Sequence, residues 1–368
     1  MAKIYELYGY HETDRSENVE KSRKRTECPF SGGLCDGGGN RFMSNLDLSE
    51  HPELREYFVE MDDVPSGICS IQLSPGEPPW IICPRRLFYM GKHATEEIMK
   101  GHTQSVLMKK CNFLPGTTVG VWAETKIKYQ NTSDEEDAVF DYTFDYVLVS
   151  LGRVSLEQLS TELSIPEKII QKQLECNGFT LSMRNGLTSV EDFPIGPPII
   201  IEIMTSSTSG GNKKKRSCIP QAFEDCILDR PHIAPGINYR QVWARMASQM
   251  IVKSQAALEW GGSTIWILQD LLSEYISSST ALDLRKFVNE NISEVNVLEF
   301  SYGDRYHSPE LGKTVEISDA RLYSGPIRSG AGTNPSFQDI VLASVCPPKD
   351  VLIRALLKKQ MSNKIIIK

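Results

Sequence analysis

Two carboxylates stand in strand-like runs that leave little room for charge. Residues Ile199–Met204 read Ile-Ile-Ile-Glu-Ile-Met. Successive strand side chains point to opposite faces, so Glu202 shares a face with Ile200 and Met204, and Ile199, Ile201 and Ile203 take the other. Asp145 repeats the pattern in Tyr142–Val149. Alternation places it on the Thr143, Val147 and Val149 face, opposite Tyr142, Phe144, Tyr146 and Leu148. An unpaired buried carboxylate is costly, so each acid needs a cation or a hydrogen-bond network. Two acids on adjacent strands of one sheet are a natural oxygen cage for Mg²⁺. The other reading is two unrelated acids, solvated or paired with arginine.

A polar, basic loop, TSSTSGGNKKKRS at 205–217, directly follows the Glu202 strand. Lys213, Lys214, Lys215 and Arg216 on this loop are candidates to neutralise phosphates, as are Arg240, Arg245 and Lys253 further on. A solvated loop is the plainer meaning of such a run. Acids beside bases suit metal-assisted phosphodiester hydrolysis, in which a metal stabilises charge and lowers the pKa of the attacking water.

Four of the nine cysteines fall in the first 86 residues. Cys28, Cys35, Cys69 and Cys83 are separated by 6, 33 and 13 residues, with no CxxC knuckle. Small or proline neighbours place each thiol on a turn, where a structural metal, iron or zinc, is one reading and ordinary buried thiols the other. This region is glycine-rich and short of long amphipathic periods, so it is expected to need a cross-link or a neighbour. Cys111, Cys176, Cys218, Cys226 and Cys346 are scattered and read as core or incidental thiols.

The elements that must position these groups follow from periodicity. Ala94–Lys110 reads as helical, and Thr117–Tyr129 as a strand rich in β-branched and aromatic residues. The acidic turn Asp134–Asp137 joins it to the Asp145 strand. Two short helices fit residues 155–176, as a helix-turn-helix reader or as a plain hairpin packed on the sheet. Asn238–Trp260 is the longest helix, stopped by Gly261-Gly262. Thr264–Leu268 and Asn296–Tyr302 are further strands. Strands alternating with helices predict an α/β fold, one mixed central sheet flanked by helices.

Composition sets the outer bounds. The chain has 368 residues, 47 acids and 40 bases, a formal net charge of −7. Forty per cent hydrophobic residues argue against a disordered chain. No apolar run approaches the ~18–20 residues of a membrane span. The N-terminal residues lack a signal-peptide core, and the odd number of cysteines fits reduced thiols, so a cytoplasmic location is expected. Gly312-Lys313-Thr314 lacks the upstream glycine of a phosphate loop, and no HExxH or GxSxG is present.

In order along the chain, Cys28-Pro29-Phe30, Gly67-Ile68-Cys69, Trp80-Ile81-Ile82-Cys83-Pro84-Arg85-Arg86, Phe144-Asp145-Tyr146, Ile201-Glu202-Ile203-Met204-Thr205 and Thr264–Gln269 form a set of landmarks. With the helix carrying Arg245, Gln249 and Met250, this set resembles the NotI family of type II restriction endonucleases. The resemblance implies a PD-(D/E)xK nuclease core at 91–368, with a helical insertion near 151–195. It also implies an N-terminal region, 1–90, whose Cys28, Cys35, Cys69 and Cys83 hold a structural iron or zinc. Asp145 and Glu202 would bind Mg²⁺, with Glu124 a candidate additional acid. The implied activity is site-specific cleavage of double-stranded DNA by a homodimer. The alternative is a decayed nuclease fold that binds DNA without cutting. Met204 occupies the position of the usual lysine or glutamine. A thioether cannot orient water, so Met204 is expected to pack. Lys126 or Lys128 on a neighbouring strand, or the substrate's own phosphate, would then take the third role.

Overall fold

The computed structural model describes residues 1–38, 45–130, 139–184, 186–279, 284–327 and 347–367. The turn at 134–137 and Cys346 lie outside them. The amino-terminal strands are β1 (Lys3–Leu7), β2 (Tyr10–His11), β3 (Glu27–Cys28), β4 (Gly33–Leu34), β5 (Asn45–Asp47), β6 (Asp63–Pro65), β7 (Ile68–Gln72) and β8 (Trp80–Ile81). The remainder are β9 (Thr118–Gln130), β10 (Val139–Ser155), β11 (Leu181–Arg184), β12 (Leu187–Pro194), β13 (Ile199–Met204), β14 (Ser263–Gln269), β15 (Val295–Ser301), β16 (Asp319–Gly325) and β17 (Asn363–Ile366).

β9 to β17 make a nine-stranded mixed sheet. Its main path runs β11-β12-β10-β13-β14-β15-β16, with β9 pairing β10 and β17. β13, β14 and β15 are parallel neighbours, while β10 runs antiparallel to both β9 and β13. Parallel neighbours need a crossover, and the Tyr239–Glu259 helix supplies it between β13 and β14. Asn238 caps that helix by accepting the Gln241 N–H at 3.4 Å. Gly262, just beyond it, has no room for a side chain: a Cβ would lie 1.9 Å from the Pro198 carbonyl oxygen. Glycine there lets the helix return close to the start of β13.

One face of the sheet buries Ile200, Val147 and Val149 against Ala256, Ala257 and Trp260 of the long helix, with the Leu156–Leu163, Glu167–Cys176 and Lys349–Leu357 helices. The 155–176 pair is therefore a hairpin packed through Leu156, Leu159, Leu163, Ile170 and Leu174. The opposite face buries Ile199, Ile201, Tyr146 and Leu148 with Leu87, Phe88 and Leu107. No helix among the described residues is long and apolar enough to cross a membrane.

The expected fold needs correction in its N-terminal four-cysteine metal-binding region. Among the described residues, the ligand atoms gathered within 4.8 Å of one another belong to Glu12, Cys226 and His232, not to Cys28, Cys35, Cys69 and Cys83. A closed tetrahedral thiolate site, with metal–sulfur bonds of ~2.3 Å, needs sulfurs about 3.8 Å apart. Stability comes from elsewhere. β2-β1-β7-β8 form a small sheet, and Ile4, Leu7, Tyr8, Leu54, Phe58 and Ile71 share a core with Ile219, Phe223, Cys226 and Ile227. The segment from Ile219 to Ala234 thus closes the N-terminal core from far along the chain, which its local composition did not reveal. Arg86 adds a second tie. It is buried, pairs with Glu6 at 2.8 Å, and donates to the Val315 carbonyl at 2.5 Å. Ser70 and Tyr302 hydroxyls also donate to Glu6, at 2.6 and 2.7 Å. Buried charges are tolerated when paired and hydrogen-bonded in this way.

Candidate active site

β10 and β13 pair for three residues, from Leu148 opposite Ile199 to Tyr146 opposite Ile201. Beyond that the backbone ladder ends, and the next residues on the two strands are Asp145 and Glu202. Their side chains take over hydrogen bonds that the ladder would have made. Asp145 accepts the Ile203 N–H at 2.8 Å, and Glu202 accepts the Asp145 N–H at 3.4 Å. Buried backbone groups need such partners wherever strands part. The parting leaves a pocket of about 200 Å³ lined by Thr143, Asp145, Glu202, Ile203, Met204, Arg245, Gln249 and Lys253.

Lys253 enters from the long helix. Its ammonium lies 2.5 Å from Glu202 Oε2 and 2.7 Å from the Thr143 carbonyl oxygen. Both Lys253 and Glu202 are buried, at 3% and 1% exposure. Burial pushes Glu202 up to about 8; the neighbouring Asp145 adds to the rise and Lys253 opposes it. Burial also raises Asp145, against the pull of the Ile203 N–H and of the Lys253 and Arg85 cations.

The expected alternation along β10 is corrected at this point. Phe144 packs in the same cluster as Val147 and Val149, while Tyr146 and Leu148 face the other core. The alternation slips at Asp145. Opposite it, β9 pairs Thr125 with Phe144 and Ala123 with Tyr146, but Glu124 between them drops out of the ladder at φ +50°. This left-handed conformation is costly for a side chain and recurs where a site demands it. Glu124 accepts from Arg85 at 3.4 Å, and Arg85 also pairs with Asp36 at 3.0 Å. Glycine suits this φ, so Glu124→Gly is expected to raise stability in urea unfolding by up to about 1 kcal/mol. It is also expected to lower activity by loosening Asp145. A loss of stability would show that the backbone there is unstrained.

Other expected residues lie as follows. Met204 is buried with Val242, Met246, Met250, Trp266 and Leu268. Lys126 pairs with Asp141 at 3.2 Å, and Lys128 lies opposite Asp141 in the register, so neither supplies the cation beside Glu202. That cation is Lys253, which had been read as a phosphate contact. Its signal was in the sequence: it continues the buried row of Val242, Met246 and Met250, where a lysine needs an acid partner. Arg216 is committed to Glu224 and Asp225, at 2.8 and 2.7 Å, which takes it from the expected phosphate set. Lys213, Lys214 and Lys215 are exposed, as are Arg240 and Arg245. Their loop is anchored beside the start of the long helix, through Ser209 N–H to the Gly236 carbonyl and Asn238 N–H to the Ser207 carbonyl, both 2.7 Å.

The four N-terminal cysteines are free thiols. Cys69 and Cys83 are hydrogen-bonded to one another, which lowers Cys83 and raises Cys69. Burial raises Cys28, and Cys83 adds to the rise. In the Glu12, Cys226 and His232 group, His232 Nε2 accepts the Ile4 N–H at 3.1 Å. A metal ligated through that nitrogen would have to displace this bond.

No family model, no curated protein and no solved structure matches the chain.

Proposed function

We propose that the chain is a Mg²⁺-dependent endonuclease that hydrolyses phosphodiesters of double-stranded DNA, acting as a homodimer on a two-fold symmetric site. One observation carries this reading: Asp145, Glu202 and Lys253, from two strands and a helix, meet in one small pocket. The donor set suits a hard cation. Asp145 Oδ2 is engaged with the Ile203 N–H, and Glu202 Oε2 with Lys253. Asp145 Oδ1, and Glu202 Oε1 with only its long 3.4 Å bond from the Asp145 N–H, are the oxygens that would take Mg²⁺, which prefers such ligands. When bound there, the ion would stabilise the charge of the phosphoryl transition state and acidify a water.

The chain's own groups do the rest. Lys253 holds Glu202 in place and opposes the rise that burial imposes on it. An ammonium has three donors, and two are used, on Glu202 and on the Thr143 carbonyl. The third is available to a water or a phosphate oxygen, the role that a residue at position 204 would otherwise fill. The exposed lysines at 213–215 and Arg240 suit a polyanion. The sequence resemblance to the NotI family supports site-specific cutting. A dimer follows from the symmetry of palindromic targets.

The test is direct. Incubated with mixed genomic DNA, the protein is expected to yield discrete fragments in Mg²⁺ and none in EDTA. Retention of DNA without fragments in Mg²⁺ would overturn the nuclease reading in favour of the non-cutting DNA-binding alternative, and the absence of both fragments and retention would overturn both readings.

A further inference from the structure

Arg245, Gln249 and Lys253 are spaced four residues apart on the long helix and line the same pocket. Residues at this spacing stack on one helix face, each step advancing about 6 Å along the axis. Exposure falls along the row, from exposed Arg245 through half-buried Gln249 to buried Lys253. The charge of Lys253 is already committed to Glu202 at 2.5 Å. Among the described residues, neither the Arg245 guanidinium nor the Gln249 amide has a partner, although both border the carboxylates. The charged groups of the lining are Asp145, Glu202, Lys253 and Arg245. Without Arg245 their formal sum is −1, a poor receptor for an anionic strand; with it the sum is zero.

Resting on the nuclease reading above, we propose that this row seats two consecutive phosphates of one DNA strand. Gln249 donates its amide N–H to a non-bridging oxygen of the phosphate facing Asp145 and Glu202. Arg245 forks onto the neighbouring phosphate, as guanidinium groups do. The 6 Å helical step matches the scale of the step between phosphates along a strand, so one rigid helix sets the register of the scissile bond. Arg245 is then a binding residue, and Gln249 touches the reacting group.

Binding in Ca²⁺ across a salt series, and cleavage in Mg²⁺ at saturating DNA, test this on the full chain. Arg245→Gln is expected to weaken binding about tenfold and to reduce the slope of log affinity against log salt by about one, since each phosphate contact contributes ~0.9. Arg245→Lys keeps the charge and is expected to retain the slope. Gln249→Leu is expected to keep the salt slope while slowing cleavage about a hundredfold, the scale of a lost transition-state donor. If wild-type protein cuts in Mg²⁺ but Arg245→Gln keeps the full salt slope, or Gln249→Leu cuts at the wild-type rate, the phosphate row is wrong and the nuclease reading survives. If wild-type protein neither binds nor cuts DNA, both fall.

Discussion

Lys253→Met is expected to lower Mg²⁺-dependent cleavage by about a thousandfold, the scale of a lost acid–base or positioning group. It is also expected to destabilise the fold by about 3–5 kcal/mol, the range for breaking a buried ion pair from one side. Glu202 is 1% exposed and has Lys253 as its ion-pair partner, so the variant leaves a carboxyl that must take up a proton to stay inside. That protonation places the loss of stability toward the lower end of the range at neutral pH. Urea unfolding and a fragment assay measure the two effects separately. A second variant guards against simple misfolding. Met204 borders the same pocket two residues after Glu202, so Lys253→Met combined with Met204→Lys moves the ammonium from helix to strand. The double variant is expected to recover part of the cleavage. Wild-type cutting by Lys253→Met alone would remove the lysine from the mechanism.

Asp145→Asn is expected to abolish cleavage, by at least about a thousandfold, while leaving specific DNA binding in Ca²⁺. It is not expected to unfold the sheet, because an amide oxygen can still accept the Ile203 N–H that Asp145 holds at 2.8 Å. The substitution also removes the like charge that helps push Glu202 up to about 8. In the metal-free protein, Glu202 binds a proton more tightly than in the unfolded chain, whose carboxyl titrates near ~4.3. Its contribution to stability is therefore fully present below about pH 4.3, is lost as pH rises, and is gone once pH passes the folded value. Mg²⁺ needs the ionised form, so its affinity is expected to rise with pH up to about 8 and then level off. In Asp145→Asn that pH midpoint is expected to move down. Calorimetric titration of Mg²⁺ at several pH values checks both statements; pH-independent binding in the wild type would show that Glu202 is ionised throughout.

Much of the site-bearing architecture was legible because it rests on local periodicity. Ile199–Met204 reads as a strand from its run of isoleucines, and Asn238–Trp260 as a helix from Val242, Met246 and Met250 with a glycine stop. The placement of Glu202 among apolar neighbours followed from two-residue alternation alone. The same rule failed for Phe144, because alternation assumes an unbroken ladder, and the left-handed Glu124 opposite Asp145 interrupts it. No local pattern announces that interruption: glutamate is an ordinary strand-surface residue.

The amino-acid sequence by itself determined that Asp145 and Glu202 stand among apolar strand neighbours, and which elements carry them. Only the tertiary structure decided their partners. Lys253 is 108 positions after Asp145 and reaches Glu202 because a crossover helix must lie back over β13 to start the parallel β14. Arg216 looked like a phosphate ligand until Glu224 and Asp225 were brought against it. The N-terminal region looked too poor in apolar surface to stand alone, and it does not: Phe223, Cys226 and Ile227 complete its core. Charge pairing and core closure depend on distances between segments remote in the chain, and composition carries no information about those distances.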